Sequence, residues 1–398
     1  MPYVEGRLVH DADAHIFEPP GWIDDYADRR WRDPIRTFLK VEPKAAAEFR
    51  DRVTARQHDP AYRARDTEEV LLRKGYDGIG AFLSADRPAA LDLLGFASQL
   101  VFTTAYLGGL TIADRGDDVD LAYALAAAHN RGMLEFCSVD RRLLPTSYVP
   151  MADIERSIEF GRKAIGDGAA ALLVASAPPR RHSPSHVGFD PLWAAAQEAG
   201  VPIVFHVGGG TVMDAVYKEN GGPPVPDFTG GDGNFTSVSF MYIATSPMQT
   251  MATLIIDGVL ERFPGLRFGI IEQGAAWLPG WMRSMDSAAT AFAKNEERLQ
   301  RLSLRPSEYV QRQVRVTPYP HEPAGWIVAE SGPDICMFSS DYPHTEGGRN
   351  PLKRFDESMQ GRTDDEKSKF YSGNFADLMG PTLERIAPAP AGLAADRS

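Results

Sequence analysis

Cysteine is scarce in this chain of 398 residues, since Cys137 and Cys336 are the only two and lie far apart. Two distant cysteines imply no disulfide framework of the kind that stabilises small secreted domains, which indicates a reducing compartment. Residues 1–6 contain neither a basic segment nor an apolar one, so we expect no signal peptide. These absences together predict a cytoplasmic protein.

Long apolar runs and an excess of positive charge are also missing. No stretch approaches the roughly 20 apolar residues that a membrane helix needs. Lys and Arg number 42 against 54 Asp and Glu, which gives a net charge of −12. Nucleic acids and anionic membranes are bound by basic surfaces. The sequence therefore argues against both as partners and leaves a small-molecule substrate as the expected one.

The chain does contain short apolar runs that alternate with helical segments, a pattern typical of repeated βα units. Helical segments are predicted at 119–139, 153–165, 191–200 and 247–257. The pattern predicts an α/β fold of the (β/α)8 TIM-barrel type. The eight predicted strands span residues 8–16, 99–103, 144–150, 170–175, 202–206, 266–272, 314–318 and 335–341.

Two segments interrupt this alternation. Residues 24–92 are long, charged and rich in arginine, and we interpret them as an insertion after strand one that covers the barrel mouth or contacts a second subunit. Residues 221–236 form a glycine- and proline-rich loop, which is more often functional than accidental when it follows a strand with polar residues at its end. We expect a single domain over 1–385 and a disordered tail over 386–398.

Ionisable residues stand where several predicted strands end. Asp13 and His15 are two residues apart and therefore share one face of the first strand. His206 ends the fifth predicted strand, and Asp341 ends the eighth. Polar residues at the carboxyl ends of parallel barrel strands are typically catalytic. Mixed imidazole and carboxylate ligands suit zinc, or manganese if carboxylates dominate, so the pattern predicts a metalloenzyme.

Each of these residues also has a plainer interpretation. His15 and His206 could be hydrogen-bonded histidines of the core, and Asp341 could cap the turn at Tyr-Pro. Asp11 lies on the same face as Asp13, and a shift of two residues would exchange them. The coincidence of four such residues at strand ends favours the metal site, and the Asp-x-His spacing favours Asp13.

The residues resemble, in four motifs and in order, the amidohydrolase-related metalloenzymes of the aminocarboxymuconate-semialdehyde decarboxylase type. These are members of a superfamily of (β/α)8 barrels. The motifs are Asp-Ala-His at 13–15 with Glu-Pro at 18–19, Phe-His at 205–206, Glu-Gln-Gly at 272–274, and Ser-Asp-Tyr-Pro-His at 340–344. The resemblance spans about residues 8–380.

The resemblance implies that Asp13, His15, His206 and Asp341 hold the metal. Members with two metals carry a lysine at the end of strand four, and residues 171–177 contain no lysine. We therefore expect one divalent metal, with zinc preferred and manganese as the alternative. A homodimer is expected by the same analogy.

Glu272 departs from the family pattern, because decarboxylases of the family have a histidine there. This departure favours metal-dependent hydrolysis of a small cyclic or aromatic carboxylated compound, with Asp341 as general base acting on a metal-activated water. The alternative is a non-oxidative, metal-dependent decarboxylase of an aromatic or muconate-type acid. A lesser alternative is a catalytically inactive metal-binding barrel.

Further candidates surround this predicted centre. Glu272 and His344 are candidate catalytic residues, although His344 could also lie on the surface. Glu18 either contacts the site or faces solvent. Aromatic side chains at the barrel mouth would suit a cyclic substrate, and the predicted substrate contacts are Phe17, Trp22, Phe235 and Tyr342.

Overall fold

Seven parallel strands form one curled sheet in this computed structural model, which describes residues 2–223, 225 and 236–386. The strands pair in chain order from first to last, as expected when each βα unit adds one strand beside the previous one. The strands are β1 (His10–Ile16), β2 (Ser98–Thr103), β3 (Leu143–Tyr148), β4 (Ala171–Leu173), β5 (Ile203–His206), β6 (Phe268–Ile271) and β7 (Val314–Val316).

The eighth predicted strand, residues 335–341, is not a regular strand in the structure. It lies between β7 and β1 and bonds to both: the Met337 amide donates to the Val316 carbonyl at 2.9 Å, and the Asp341 amide donates to the Asp13 carbonyl at 2.9 Å. Each side has only an isolated bridge. The sheet is therefore seven-stranded and TIM-barrel-like, and this closing segment bridges its two edges.

The irregularity of the closing segment has a local cause. Asp341 adopts a left-handed backbone with φ of 53°, which breaks the extended conformation. The Ser340 amide donates to the carboxylate of Asp11 at 2.7 Å instead of to a strand carbonyl. A side chain thus replaces the backbone partner that a regular ladder would supply.

Helices follow the strands and surround the sheet. The helices are α1 (Arg32–Leu39), α2 (Pro43–Gln57), α3 (Pro60–Arg63), α4 (Asp66–Glu69), α5 (Arg87–Leu94), α6 (Leu107–Asp114), α7 (Val119–Cys137), α8 (Ile154–Asp167), α9 (Asp190–Ala199), α10 (Ser237–Ile243), α11 (Thr245–Ile256), α12 (Val259–Arg262), α13 (Leu278–Phe292), α14 (Glu297–Gln300), α15 (Pro306–Gln313), α16 (Ala324–Ser331), α17 (Pro351–Ser358), α18 (Asp364–Ser368), α19 (Asn374–Met379) and α20 (Pro381–Ile386). Short 3-10 turns and one π-helical turn, Lys369–Gly373, join them.

Helix boundaries follow capping residues in the sequence. The Asp118 carboxylate accepts the Leu121 amide at the start of α7, and Asp153 does the same for Arg156 at the start of α8. Gly168 and Gly200 end α8 and α9 with positive φ, which glycine adopts without steric penalty. The four helices predicted from the sequence correspond to α7, α8, α9 and α11.

The segment between β1 and β2, which contains the predicted insertion 24–92, consists of short helices and turns. It touches the carboxyl ends of the sheet: the Gly75 amide donates to the Pro343 carbonyl at 2.8 Å, and the Tyr76 hydroxyl donates to the Glu18 carbonyl at 3.1 Å. The segment therefore borders the end of the sheet where the polar residues gather. Its role as a subunit contact stays a prediction.

Two predicted features fall on chain that the structure leaves undescribed. The loop 221–236 lies largely outside the described residues, as do Phe235 and residues 387–398 of the predicted tail. Among the helices in the described ranges, none has the length and apolar character needed to span a membrane.

Candidate active site

Acidic and imidazole side chains converge at the carboxyl ends of β1, β5 and β6. His206 Nε2 lies 3.3 Å from Asp13 Oδ1 and 3.3 Å from Glu272 Oε2. His15 Nε2 lies 3.2 Å from Asp13 Oδ1 and 3.6 Å from Asp341 Oδ1. All five side chains are buried. The tertiary structure therefore brings together the four predicted metal ligands and adds Glu272 to them.

Two of these carboxylates, those of Glu272 and Asp341, belong to residues with a strained backbone conformation. Glu272 and Asp341 both have φ of 53°, the left-handed region that side chains with a Cβ rarely adopt. Glu272 directly follows the apolar strand β6, whereas Ser339 and Ser340 separate Asp341 from the apolar residues 335–338. Such conformations cost of order 1–3 kcal/mol and persist where the surrounding structure holds them, often at functional sites.

Buried oxygens in this cluster have no hydrogen-bond donor. Asp13 Oδ2 and both carboxylate oxygens of Asp341 accept no hydrogen bond from any residue in the described part of the chain. Leaving a buried carboxylate oxygen without a donor is costly. A divalent cation would satisfy these oxygens, and imidazole nitrogen with carboxylate oxygen is the donor set that zinc and manganese accept. The residues fit a divalent metal.

The electrostatics of the cluster also favour a bound cation. Burial, followed by the neighbouring charges of Glu272 and Asp13, raises the pKa of Asp341 well above its usual range. Burial acts in the same direction on Asp13, but His206 and His15 outweigh it and lower the pKa of that carboxyl. Burial lowers the pKa of His15, which favours the neutral imidazole that binds metals. Three close carboxylates need a compensating positive charge.

The two histidines are oriented from behind by backbone carbonyls. His206 Nδ1 lies 2.8 Å from the Val207 carbonyl, and His15 Nδ1 lies 3.3 Å from the Thr103 carbonyl. A carbonyl only accepts, so Nδ1 carries the proton in each ring and Nε2 is left as the free lone pair. The Nε2 atoms are the ones that face the carboxylates, as in metal-binding histidines generally.

Glu18 reaches the site through the loop after β2. It is fully buried, and its carboxylate accepts hydrogen bonds from the Thr103 hydroxyl and from the amides of Thr104 and Ala105. Thr104 Oγ1 in turn lies 2.8 Å from His344 Nε2 and 3.2 Å from His15 Nδ1. Glu18 therefore does not face solvent, and its link to the site histidines runs through Thr104.

Thr104 was not among the site residues predicted from the sequence. Its only signal was its position at the end of an apolar strand, which threonine shares with many ordinary turns. The contacts of Thr104 are with two histidines that are 89 and 240 residues away in the chain. A pattern within one segment cannot reveal such a contact.

Asp11 has a structural role distinct from that of Asp13. Its carboxylate accepts the Ser340 amide at 2.7 Å, the Ser340 hydroxyl at 2.6 Å and the Gln99 side chain at 2.8 Å. Its oxygens are therefore used in tying β1 to β2 and to the closing segment. The sequence left open whether Asp11 or Asp13 belongs to the site, and the structure places Asp13 in the cluster.

A cavity of about 360 Å³ opens above the cluster. We call it the site cavity. It is wide enough for a small cyclic molecule, and both ligand histidines face it. Its lining includes His15, Thr104, Leu107, His206, Glu272 and His344.

The predicted aromatic contacts are placed differently from the expectation. Tyr342 is fully buried in the core and donates its hydroxyl to the Ile79 carbonyl at 2.8 Å, so it does not line the cavity. Trp22 packs against Tyr26 and Tyr106 in the core, away from the cavity. Phe17 packs edge-on against His344, with ring centroids 4.7 Å apart, and supports that residue from behind. Phe235 lies outside the described residues.

A family model described as amidohydrolase matches residues 11–380, which is nearly the whole chain and includes every member of the cluster. The chain belongs to the amidohydrolase family. No protein among the curated ones matches it.

Solved structures of amidohydrolases share this fold. An amidohydrolase from Mycobacterium avium subsp. paratuberculosis is 22% identical, with a TM-score of 0.69 over 95% of this chain and 99% of the other. The 5-carboxyvanillate decarboxylase of Novosphingobium aromaticivorans, solved with manganese and 4-hydroxy-3-methoxy-5-nitrobenzoic acid, is 18% identical, with a TM-score of 0.61 over 94% and 96%. The 2,6-dihydroxybenzoate decarboxylase from Rhizobium is 15% identical, with a TM-score of 0.59 over 94% and 99%.

Proposed function

We propose that this amidohydrolase-family protein is a metal-dependent, non-oxidative decarboxylase of a hydroxylated aromatic or related cyclic acid. The observation that carries the proposal is the full-length likeness to a decarboxylase solved with manganese and a benzoic acid derivative. The converging imidazole and carboxylate cluster of this chain offers a place for such a metal. Hydrolysis, the main expectation from the sequence, is not confirmed, and the alternative has the better support.

Glu272 was the reason for preferring hydrolysis, and its position weakens that reason. Its carboxylate lies 3.3 Å from His206 Nε2 and 4.0 Å from His15 Nε2, among the candidate ligands. The positive charge of a bound metal would neutralise a carboxylate in that place. Its electrostatic repulsion of a substrate carboxylate would therefore be small. The replacement of histidine by Glu272 is therefore compatible with decarboxylation.

The residues of the site have distinct parts in this proposal. Asp13, His15 and His206 would hold the metal together with Glu272 or Asp341. When bound, the metal supplies a positive charge that attracts the carboxylate and adjacent hydroxyl of the substrate. His344 and Thr104 line the wall of the site cavity and would orient the ring. Zinc and manganese both remain compatible with the donor set.

Asp341 is the proposed proton donor. The bond between the ring carbon and the carboxylate breaks, and carbon dioxide leaves. The electron pair of that bond takes up the proton of the Asp341 carboxyl and forms a carbon–hydrogen bond. Solvent then returns a proton to Asp341, so no oxidant or reductant is consumed.

The test is an incubation of the manganese-loaded protein with salicylate, 2,6-dihydroxybenzoate and related hydroxybenzoates in D2O. We expect carbon dioxide and arene in equal amounts, with one deuterium at the vacated ring carbon by NMR. Asp341→Asn should abolish both signals. Failure to release carbon dioxide, together with cleavage of lactone, ester or amide substrates by the same preparation, would instead support hydrolysis.

A further inference from the structure

A second cavity adjoins the site cavity and has a volume of about 300 Å³. We call it the side pocket. Val207 and Gly208, from the loop after β5, line both cavities, so that loop lies between the two. A substrate that reaches past this loop from the metal cluster would enter the side pocket.

The side pocket has a polar floor and an apolar wall. The apolar wall includes Val212, Met213 and Ile243. The polar floor is formed by Ser176, Thr211, Ser246 and Gln273, and Lys218, Ser239 and Tyr242 also line the pocket. Ser246 and Thr211 bond to each other: Ser246 Oγ accepts the Thr211 amide at 2.7 Å and lies 2.8 Å from Thr211 Oγ1. Their polar groups are already partnered within the protein.

Gln273 differs from the other floor residues. Its side chain is only 2% exposed, and its amide nitrogen lies 3.4 Å from Ser176 Oγ. Its amide oxygen Oε1 accepts no hydrogen bond from any residue in the described ranges. A buried carbonyl oxygen without a donor is unfavourable, so a ligand that supplies a donor gains affinity. Gln273 is thus the unpaired acceptor of the side pocket.

Two backbone features shape the side pocket around Gln273 and Ser246. Gln273 follows Glu272, whose φ of 53° turns the chain, so that Glu272 faces the metal cluster and Gln273 lines the neighbouring side pocket. Gly210 lies against the floor, where a Cβ would meet Ser246 Oγ at 2.6 Å. A side chain at Gly210 would displace Ser246, so glycine at this position allows the close packing of the polar floor.

We propose that the side pocket binds an arm of the substrate that extends from the ring and ends in a hydrogen-bond donor, a hydroxyl or an amide N–H, which Gln273 Oε1 accepts. This inference rests on the proposed function, because the ring is placed at the metal cluster. It narrows the substrate class to cyclic acids with an apolar arm that ends in a donor. Unsubstituted hydroxybenzoates are then incomplete substrates.

The test compares two salicylates that differ only at the end of a short arm on the ring: a 2-hydroxyethyl arm and a propyl arm of nearly equal size. Both arms are tested at ring positions 4 and 5, and binding to the manganese-loaded protein is measured by calorimetry. At one position, we expect the hydroxyl-terminated arm to bind about tenfold more tightly than the propyl arm. In Gln273→Leu, this ratio should fall to about one, whereas exposed Gln360→Leu should keep it.

A second variant guards against misfolding at Gln273. Ile243→Trp fills the side pocket from its apolar wall, and it should remove the advantage of either arm over plain salicylate. The inference is overturned if no arm at either position binds more tightly than salicylate, or if Gln273→Leu leaves the tenfold ratio intact. These results are independent of carbon dioxide release, so the side pocket and the proposed decarboxylation can fail separately.

Discussion

The hydroxyl of Thr104 lies 2.8 Å from Nε2 of His344 and 3.2 Å from Nδ1 of His15. One threonine thereby connects the loop after β2 with a candidate metal ligand and with a residue of the cavity wall. The amide of the same threonine donates to Glu18. The position of two site histidines therefore depends on a buried carboxylate that lines neither cavity.

The first prediction concerns this carboxylate. In Glu18→Gln, the single amide oxygen can still accept the Thr104 and Ala105 amides, but the NH2 group then replaces the oxygen that accepts the Thr103 hydroxyl, and the negative charge is lost. We expect a loss of about 1–3 kcal/mol in the free energy of unfolding and at least a tenfold fall in kcat, with metal content unchanged. Denaturant melts, turnover and elemental analysis measure these three quantities.

Glu42→Gln is the matched control, since the exposed Glu42 carboxylate also accepts two backbone amides, those of Lys44 and Ala45. It should cost little stability and leave turnover unchanged. An equal loss of kcat in the two variants would contradict a positioning role for Glu18.

The second prediction concerns metal content. The purified protein should carry about one divalent metal per chain, because the two possible ligand groups, one around Asp13 and one with Asp341 and His344, share His15. The His206→Ala/Asp341→Ala double variant removes an imidazole and a carboxylate and should lose that metal. Elemental analysis is the measurement, with exposed His58→Ala as the control. Absence of metal from the wild type after reconstitution with zinc and with manganese would refute the metal site.

The third prediction distinguishes the backbone strain at Glu272 from its proposed role as a metal ligand. In the metal-free protein, Glu272→Gly should raise the free energy of unfolding by about 1 kcal/mol, because glycine adopts a positive φ without the steric cost. The same variant should bind metal at least tenfold more weakly, since a candidate ligand is gone. Thermal unfolding and metal titration test the two effects.

Lys40→Gly provides the control for strain alone. Lys40 has φ of 55°, is exposed and ends α1 outside the site. It should gain similar stability without any change in metal affinity. Wild-type metal affinity in Glu272→Gly would show that Glu272 is no ligand.

The fourth prediction concerns pH. Burial raises the pKa of Asp114 from 3.8 to about 6, against hydrogen bonds from the Met151 amide and the Tyr148 hydroxyl. The folded state holds the proton more tightly than the unfolded state, so the contribution is fully present below pH 3.8 and is lost as the pH rises through about 6. The effect is at most about 3 kcal/mol.

Asp114→Asn stays neutral and isolates this contribution. The unfolding free energy of the wild type minus that of the variant should fall between roughly pH 4 and pH 7, as urea melts at both ends of this range would show. A difference that stays constant with pH would mean that Asp114 titrates alike in both states.

The sequence predicted the parts of the fold that local patterns encode. Alternating apolar runs and capping residues placed seven strands and the helices α7, α8, α9 and α11 close to their observed positions. The prediction of a regular eighth strand was wrong. Its apolar residues 335–338 look like a buried strand, but the Asp11 carboxylate and the left-handed Asp341 interrupt the ladder. The bond to Asp11 joins residues more than 300 positions apart in the chain.

For the candidate site, too, some residues could be predicted from the sequence and others were revealed only by the structure. By itself, the sequence predicted Asp13, His15, His206 and Asp341 as the metal ligands, because ionisable residues at the ends of apolar strands stand out within their own segments. Only the tertiary structure decided that Glu272 joins them, that Glu18 and Thr104 hold the histidines, and that Tyr342 and Trp22 belong to the core. The direction of a side chain depends on its neighbours in space, and these come from distant segments that no local pattern connects.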